Sequence, residues 1–473
     1  MMVGARRVRG IIGLTLGAPL LAIGSIASGQ PAPEPAAPAL VDLANPLMGT
    51  DSSFELSYGN TYPAVAVPWG MNFWTPVTGK MGNGWGYTYD AHKLNGIKQT
   101  HQPSPWMGDY AAFALFAETG PIKIKEEERA SWFSHKAEES RPYSYKVYLA
   151  DYDVTAEVAP TNRAAQFRFT FPATDQAHIL LDAYAGGSMV KVDAANRRIT
   201  GYVRNNKGGV PANFHNYFVA QFDHDFTVGR TWGDDGALNA TAQREGDHVG
   251  AVISFRTKAG EQIGVKVASS FISLEQALRN LESEVGSDDF DVTKAKAKQV
   301  WETEFQRIRV DDPDLDTRRT FYSALYRMLQ FPRNFHEIDA QGKQVHYSPY
   351  DGKVHPGPLY TDNGFWDTWR AVFPFFALMY PERDGEIMQG LVNTYKESGW
   401  LPEWASPGHR NVMIGSNSAI LIADAYANGV RGFDVDTLYE AMVKNATTSK
   451  GRPTDAKGRT LTAVGREGDE HYN

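Results

Sequence analysis

The sequence predicts a multidomain chain in which an N-terminal antiparallel β-sandwich is followed by a helical linker and an array of α-helical hairpins. Hydrophobic residues alternate with polar ones over residues 142–270, as on strands that bury one face. The period then becomes helical at a capping box, Ser273-Leu274-Glu275-Gln276. Beyond Gly352, helical patterns dominate, and polar-aromatic loops separate them.

The first 40 residues predict export. Arg6, Arg7 and Arg9 precede a short apolar run at residues 11–26, which is the pattern of a secretory signal peptide covering residues 1–29. The run is too short for a stable membrane span. Residues 30–40 form a Pro/Ala linker. Cleavage removes three arginines and no acidic residue, so the net charge changes from −8 to −11.

Composition limits the function and the compartment. The 473 residues are 42% hydrophobic and 22% charged, which is enough material for more than one core. A net charge of −8 provides no broad basic surface for nucleic acid. The chain has no cysteine, which excludes disulfides, thiolate metal sites and cysteine nucleophiles. A secreted chain without cysteine fits a bacterial periplasm or exterior.

The predicted sandwich covers residues 41–272. Glycine and proline recur every few residues in its first part, which is typical of strands joined by loops. Further on, Tyr145, Val147 and Leu149 point to one side of a strand, and phenylalanines alternate with polar residues at 167–171. Turn residues at 205–209 separate such strands, which favours an antiparallel arrangement.

The predicted helical linker covers residues 273–316, with a second helix at 291–306. Asp312-Pro313-Asp314-Leu315-Asp316 resembles the start of a calcium-binding loop, but it lacks the glycine and glutamate that an EF-hand needs. Asp316 is instead the predicted N-cap of a helix at 317–331. The expected buried face of that helix carries Phe321, Leu325, Met328 and Leu329.

Residues 317–473 predict stacked helical hairpins, open or closed into a toroid. The further predicted helices are 367–378, 383–397, 416–428 and 436–444. About four or five helices are too few to close a toroid, so we expect a partial helical domain and a chain that is cut short.

The loops of this part predict a carbohydrate site. Trp366 and Asp367 stand together, Glu403 and Trp404 follow one loop later, and Arg410 comes next. The apolar face of a sugar stacks on an aromatic ring, and its hydroxyls bind carboxylates and guanidinium groups. The apolar neighbours of Glu403 favour a raised pKa. Two alternatives stay open for this residue: a ligand of sugar hydroxyls, or a buried ion-pair partner of Arg410.

Other chemistries lack their motifs. The sequence contains no phosphate-binding glycine loop, no GxSxG elbow and no HExxH helix. Glycoside hydrolysis requires two carboxyl groups across the scissile bond. The carboxylates beside tryptophans are Asp109, Asp362, Asp367 and Glu403.

At these residues the chain resembles glycoside hydrolase family 92, the secreted calcium-dependent exo-α-mannosidases. The resemblance is spread over many short motifs in a constant order, and together they cover nearly all of residues 41–445. The most specific are Phe365-Trp366-Asp367-Thr368, Tyr380-Pro381-Glu382-Arg383, Gly399-Trp400-Leu401-Pro402-Glu403-Trp404 and Met413-Ile414-Gly415, with Asn45-Pro46-Leu47-Met48-Gly49-Thr50 near the mature start.

The resemblance implies a β-sandwich, a helical linker and an (α/α)6 toroid, with the active site between the two domains. It implies calcium-dependent hydrolysis of terminal α-linked mannose from glycans, with inversion. Trp366 and Asp367 match the family's Trp-Asp-Thr motif and are expected to contact the terminal mannose. Arg410, His101 and Asp109 are expected on loops that face the site.

The same resemblance places the general acid glutamate, the base aspartate and most calcium ligands beyond Asn473. The catalytic residues and the metal ligands of this chain are therefore unidentified by sequence. Two other functions stay open. One is a mannose-binding protein that has lost hydrolysis, or an inactive fragment. The other is a phosphorylase on a similar scaffold, although no strong basic cluster supports a phosphate site.

Overall fold

Alternating hydrophobic side chains build two antiparallel β-sheets in the computed structural model, which describes residues 38–79, 86–410, 412–413 and 415–448. The predicted signal peptide, most of the Pro/Ala linker and residues 449–473 lie outside the described residues. The elements of the first part are β1 (Phe73–Val77), β2 (Lys93–Leu94), β3 (Gly96–Thr100), β4 (Phe113–Thr119), α1 (Glu126–Arg129), β5 (Ser131–Trp132), β6 (Glu139–Arg141), β7 (Ser144–Leu149), β8 (Val154–Pro160), β9 (Ala164–Phe171), β10 (Thr174–Asp182), β11 (Ser188–Asp193), β12 (Arg198–Val203), β13 (Asn216–Phe222), β14 (Val228–Trp232), β15 (Gln243–Gly246), β16 (Gly250–Thr257) and β17 (Glu261–Ser270).

The two large sheets pack face to face. One has the order β1-β3-β4-β10-β16-β14, and the other has the order β15-β11-β12-β13-β17-β9-β8-β7-β6. Aromatic rings join them: Trp74 packs edge-on against Phe167 with ring centroids 5.0 Å apart, and Phe113 stacks on Phe218 at 4.7 Å. The predicted antiparallel β-sandwich is therefore confirmed.

Burial follows the predicted alternation. Tyr145, Val147 and Leu149 on β7 are at most 1% exposed, whereas Tyr148 between them is 39% exposed. Because successive side chains of a strand point to opposite faces, only one set can reach the space between the sheets.

Three helices follow the sandwich: α2 (Leu274–Glu284), α3 (Phe290–Phe305) and α4 (Leu315–Met328). The Ser273 side chain accepts a hydrogen bond from the amide of Gln276 at 3.1 Å, which confirms the predicted cap of α2. The predicted N-cap of α4 was wrong. Asp314, not Asp316, caps this helix, because its carboxylate accepts from the Asp316 amide at 3.0 Å and the Thr317 hydroxyl at 2.8 Å.

The remaining part alternates short strands with helices. Its elements are β18 (Arg333–Asn334), β19 (Glu337–Ile338), β20 (Gln344–Tyr347), β21 (Val354–Pro356), β22 (Tyr360–Thr361), β23 (Asn363–Gly364), α5 (Phe365–Thr368), α6 (Val372–Met379), α7 (Pro381–Ser398), β24 (Trp404–Ala405), α8 (Asn417–Ala427) and α9 (Val435–Thr447). Across the described residues these helices do not close into a ring.

One helix was predicted at 367–378, and the structure has two, α5 and α6. Pro374 explains the break. Proline has no backbone N–H, so it is tolerated in the first turn of a helix but not in the interior of one that begins at Phe365. Starting α6 at Val372 puts Pro374 in that first turn.

The helices share a second hydrophobic core with segments of the sandwich. Trp69 from the sandwich packs edge-on against Phe376 of α6 with ring centroids 5.6 Å apart. The Trp301 indole nitrogen of α3 donates to the carbonyl of Ala66 at 2.6 Å. The two parts of the chain are thus joined by packing as well as by covalent connection.

A buried ion pair also joins the two parts. Arg333 of β18 and Asp362, between β22 and β23, are each 1% exposed. The Arg333 Nε donates to Asp362 Oδ2 at 2.9 Å, Nη2 donates to the same oxygen, and Nη1 donates to the Thr100 carbonyl at 2.8 Å. The Tyr110 hydroxyl donates to Asp362 Oδ2 at 2.7 Å. Burial opposes the charge on Arg333, but the Asp362 carboxylate outweighs it and raises the pKa of the guanidinium group.

The variant Asp362→Asn tests this ion pair. It leaves the Arg333 charge buried beside a neutral amide. Removing one partner of a buried pair typically costs about 3–5 kcal/mol, so we expect the free energy of unfolding to fall by that order. Chemical denaturation followed by circular dichroism measures the change.

Glu139→Gln is the matched control, because Glu139 and Lys146 form an ion pair in which the side chains are 59% and 42% exposed. An exposed pair contributes no more than about 1 kcal/mol. Equal losses in the two variants would contradict the proposed contribution of Arg333 and Asp362 to joining the domains.

Candidate active site

A two-stranded ribbon gathers the predicted site residues of the helical part. Strand β23 pairs with β24, so that Gly364 lies opposite Trp404. The Phe365 amide donates to the Glu403 carbonyl at 3.2 Å, and the Arg410 amide donates to the Trp404 carbonyl at 3.0 Å. Five predicted site residues therefore lie on this ribbon or next to it: Trp366, Asp367, Glu403, Trp404 and Arg410.

Trp404 forms a wall of this region and is only 8% exposed. Its indole lies against Gly364, where any Cβ atom would overlap the ring. Glycine at this position is therefore required for the close approach of the indole to the ribbon. The predicted stacking of a sugar on Trp404 stays a prediction.

Trp366 and Asp367 lie on the short helix α5 at the open side of the ribbon. Asp367 is exposed and Trp366 is half-buried. The Arg370 guanidinium lies 4.7 Å from the Trp366 ring centroid and 4.4 Å from that of Trp369. Partial burial raises the pKa of Asp367, and the Arg370 charge opposes that shift. This surface combines an accessible carboxylate, a cation and indole rings. Such groups can bind the hydroxyls and the apolar face of a sugar.

Glu403 is 1% exposed and caps a helix. Its Oε2 accepts from the Asn417 amide at 2.8 Å and from Asn417 Nδ2 at 3.2 Å. Its Oε1 accepts from the Ser418 hydroxyl at 2.6 Å and from the Ser418 amide at 3.3 Å. A carboxylate has about four acceptor positions, and these donors at the start of α8 occupy all of them. Burial raises the pKa of Glu403 to about 7, against the effect of those donors.

Arg410 reaches the sandwich rather than Glu403. Its guanidinium donates to the carbonyl of Ser406 and to that of Met107, each at 3.3 Å. Met107 belongs to the sandwich, so Arg410 lies where the two parts of the chain meet. The geometry does not support the alternative in which Arg410 pairs with Glu403.

His409, next to Arg410, is buried against Tyr350, and the two ring centroids are 4.7 Å apart. Neither ring nitrogen has a hydrogen-bond partner among the described residues. Burial lowers the pKa of His409 to about 3, so the ring is neutral at physiological pH.

His101 is a second buried and neutral histidine. It is 1% exposed and stacks on Tyr110 with ring centroids 4.8 Å apart. Its Nδ1 lies 2.9 Å from the Tyr110 carbonyl oxygen, and its Nε2 lies 3.0 Å from Oδ1 of Asn72. A neutral ring donates to only one of these oxygens. Burial lowers the pKa of His101 to about 3.

Asp109 organises the loop that follows β3. Its carboxylate pairs with Lys98 at 2.9 Å and accepts from the Thr100 hydroxyl and from the His101 amide, each at 2.8 Å. Burial opposes the charge on Asp109, but Lys98 and the other donors outweigh it and lower the pKa of the carboxyl. Asp109 is thus a charged, structurally engaged carboxylate.

The structure therefore brings the seven predicted residues into two neighbouring groups. Trp366, Asp367, Glu403, Trp404 and Arg410 lie around the ribbon, whereas His101 and Asp109 lie on the sandwich. The Tyr110–Asp362 hydrogen bond and the Arg410–Met107 hydrogen bond connect the groups.

The predicted site did not include two features of this region. Trp106, which is 68% exposed, precedes Met107 at the same seam. Its position in a loop between Pro105 and Met107 was the available signal, because a large aromatic ring in a polar loop is often a binding group. The Arg333–Asp362 pair gave no local signal, because its partners are distant in sequence.

Carboxylates and histidines do not converge into a metal site within the described ranges, where no group of three or more such side chains is placed to hold an ion. The calcium ligands implied by the family resemblance are therefore not among the side-chain clusters described above.

Comparison with known proteins gives consistent matches over both parts of the chain. Residues 43–270 match the glycosyl hydrolase family 92 N-terminal domain, and residues 276–472 match the catalytic domain of the same family. The structure is similar to the family GH92 inverting mannosidase BT2199 from Bacteroides thetaiotaomicron, with a TM-score of 0.87 and 45% identity, covering 92% of this chain and 58% of that one.

Two further relatives are more distant. The family GH92 α-mannosidase BT3965 from Bacteroides thetaiotaomicron, in complex with mannoimidazole, has a TM-score of 0.78 and 30% identity, and the match covers 88% of this chain and 56% of that one. An uncharacterized secreted glycosidase from Arthroderma benhamiae is 24% identical over 430 residues, which are 82% of this chain and 50% of that protein. The chain thus spans between half and three fifths of the length of these relatives.

The two buried histidines are expected to make the fold sensitive to acid. An imidazole in the unfolded chain takes a proton below a pKa of about 6.5, whereas His101 and His409 stay neutral until about 3. Since the unfolded state binds the extra proton, the free energy of unfolding falls as the pH drops below about 6.5. The expected loss is about 2 kcal/mol for each histidine at pH 5, measured by denaturant titration at pH 7 and at pH 5.

His409→Phe isolates one of these contributions, because a phenyl ring suits the space beside Tyr350 and has no titrating proton. The variant is expected to lose about 2 kcal/mol less than the wild type between pH 7 and pH 5. His92→Phe is the control, since it makes the same replacement at an exposed histidine. The same pH dependence in His409→Phe and in the wild type would contradict a neutral, buried His409.

Proposed function

The chain belongs to glycosyl hydrolase family 92. We therefore propose that the full-length protein is an exo-acting α-mannosidase, which removes terminal α-linked mannose from glycans with inversion. The observation that carries the proposal is the open surface of α5, where the Asp367 carboxylate lies beside Trp366 and Arg370. Two structural relatives are named as mannosidases, one of them as an inverting mannosidase, and this supports the same substrate class.

Asp367 is the proposed ligand of the terminal mannose. An ionised carboxylate accepts strong hydrogen bonds from two neighbouring sugar hydroxyls. Partial burial raises the pKa of Asp367, and the Arg370 charge opposes this shift. The Trp366 indole supplies an apolar face for the sugar ring, and Arg410, next to the same ribbon, supplies a further donor. These groups bind and orient the sugar.

The other predicted residues hold this surface in place. Glu403 fixes the start of α8 to the ribbon, and Asp109 fixes the loop that contains Tyr110 and the carbonyl of Met107. Inverting hydrolysis needs an acid and a base about 6.5–9.5 Å apart. We assign neither role to Glu403, because its acceptor positions are occupied inside the protein. We propose that the acid and the base lie outside the described residues.

The proposal includes calcium and export. A calcium ion would coordinate hydroxyl oxygens of the bound sugar, because Ca²⁺ prefers oxygen ligands. The arginine-rich, then apolar, N-terminus supports secretion to a bacterial periplasm or exterior. No helix in the described ranges is long and apolar enough to cross a bilayer.

Asp367→Asn in the full-length protein tests the assignment of the sugar ligand. The amide cannot accept the charge-assisted hydrogen bonds, so kcat/KM for an aryl α-mannoside is expected to fall by about 10²- to 10³-fold. Steady-state kinetics with a chromogenic α-mannoside measures this ratio.

Asp436→Asn is the matched control, because Asp436 is also an exposed aspartate in the first turn of a helix, α9. It is expected to keep wild-type kinetics. Unchanged turnover by Asp367→Asn would remove Asp367 from the site. Mannose binding without hydrolysis by the wild-type full-length protein would instead favour a binding protein over an enzyme.

Removal of calcium from the full-length protein is expected to abolish mannoside hydrolysis. A coordinated cation stabilises the bound sugar through its hydroxyls, so chelation followed by gel filtration should lower kcat/KM, and added Ca²⁺ should restore it. Magnesium serves as the control because it prefers a smaller, octahedral site. Full activity in the presence of chelator would contradict calcium dependence.

A further inference from the structure

A cleft of about 1040 Å³ opens at one end of the sandwich. It lies between α1 and the loops that follow β10, β14 and β15. Its walls carry two aromatic side chains, a histidine and several carboxylates. The lining side chains on which binding would depend are Glu126, Glu127, Tyr184, Asp234, Asp247 and His248.

Buried polar contacts make the floor of the cleft rigid. Asp182 is 2% exposed and pairs with Arg129 at 2.8 Å. The other Asp182 oxygen lies 2.6 Å from the His248 Nε2 and accepts from the Tyr184 amide at 3.2 Å. The hydrogen bond to Asp182 raises the pKa of His248, against the effect of burial, and so favours a charged ring.

The loop beyond this floor is also held in shape. The Asp234 carboxylate accepts from the His248 amide at 2.6 Å and from the Asp247 amide at 3.1 Å. Tyr184 has a φ of 35°, a left-handed conformation that side chains rarely adopt. Such strain persists where surrounding contacts impose it, and it is common at binding sites.

The lining of the cleft suits a neutral sugar. The Tyr184 ring lies 6.3 Å from the His248 ring and is half-buried, so part of its face borders the cleft. Four carboxylates, those of Glu126, Glu127, Asp234 and Asp247, outnumber the two cations Lys125 and His248. This excess of negative charge disfavours phosphorylated or otherwise anionic glycans. An aromatic face with hydrogen-bonding groups around it favours a neutral hexose.

One segment of chain connects the cleft to the candidate active site. The backbone carbonyl of Asn205 accepts from the Ala111 amide at 2.8 Å, and its side-chain Oδ1 accepts from the Ala112 amide at 2.9 Å. The same Asn205 packs against Gly186, two residues after Tyr184. Lys207, two residues after Asn205, lies with its side chain against Gly108, which precedes Asp109. Residues 205–209 therefore run from the loop of Tyr184 past the loop of Asp109 to Arg410, which Gly209 contacts.

Electrostatics supports the same proximity. Burial, together with the charges of Glu126, Asp109 and Asp182, raises the pKa of Tyr184 to about 12. The Tyr184 phenol thus lies within the field of Asp109, a predicted residue of the active site.

We propose that this cleft binds the neutral sugar residues of the leaving group, beyond the terminal mannose that is removed. The proposal rests on the proposed α-mannosidase function. It assigns to Tyr184 and Glu126 the recognition of glycan length. A substrate without an extended leaving group would not reach them.

The test compares substrates of two lengths with the full-length protein. In Tyr184→Ala, kcat/KM for a neutral α-mannotetraose is expected to fall roughly tenfold through a higher KM, because a ring-stacking contact is lost. The same variant is expected to keep the wild-type kcat/KM for an aryl α-mannoside. Glu126→Gln, which preserves the size of the side chain, is also expected to lower kcat/KM for the tetraose and to leave kcat/KM for the aryl α-mannoside unchanged.

Tyr148→Ala is the matched control, since Tyr148 is also a partly exposed tyrosine of the sandwich but lies on β7, outside the cleft lining. It is expected to leave the ratio of the two kcat/KM values unchanged. An unchanged ratio in both Tyr184→Ala and Glu126→Gln would overturn the proposal, and so would an equal loss on both substrates.

Calorimetric binding of neutral α-mannotriose separates this proposal from the proposed function. Binding that weakens roughly tenfold in Tyr184→Ala supports the cleft even if the wild-type protein hydrolyses no mannoside. The opposite outcome is a protein that hydrolyses the aryl mannoside but binds the triose equally well with and without the Tyr184 ring. It would support the proposed function and contradict the proposed role of the cleft. Tighter binding of a phosphorylated triose than of the neutral one would overturn the predicted charge preference.

Discussion

The buried pair between Arg333 and Asp362 is the constraint on which the relative position of the two site halves depends. Asp362 directly precedes β23, and its partner Tyr110 directly follows Asp109. A buried ion pair requires good geometry and further hydrogen bonds to offset the cost of desolvation. Here the Thr100 carbonyl and the Tyr110 hydroxyl provide them, and both belong to the sandwich. The pair is therefore satisfied only when the sandwich and the helical part are in register.

The ribbon transmits this constraint to the groups that face solvent. Glu403 at one end of β24 accepts four donors from the start of α8, and the Trp404 indole lies on Gly364 of the opposite strand. Trp366 and Asp367 lie two and three residues after Gly364, so little freedom separates them from the buried network. Groups that bind a sugar precisely need this kind of support, because a loosely held carboxylate loses part of its binding energy to ordering.

Periodicity predicted the sandwich and most helices because local spacing determines which face of an element is apolar. Pro374 shows where that reasoning was incomplete, since its missing N–H divides the predicted helix at 367–378. The role of Glu403 was not readable in the same way. Its apolar neighbours and raised pKa were predicted, but its donors are Asn417 and Ser418, and only the fold shows that they occupy its oxygens. The family motif identified Trp366 and Asp367, whereas their exposure required the structure.

Exposure then divides the predicted residues by what they can do. His101, Asp109, Glu403 and Trp404 are largely buried and make their polar or packing contacts within the protein, whereas Asp367 is exposed and Trp366 and Arg410 are half-buried. A ligand of this region meets one carboxylate, two guanidinium groups and indole rings, which are groups that bind the hydroxyls and the apolar face of a sugar ring. The proposed cleft on the sandwich also carries an aromatic ring and carboxylates. Because both surfaces carry these groups, one neutral glycan that spans them is the ligand that our two proposals have in common.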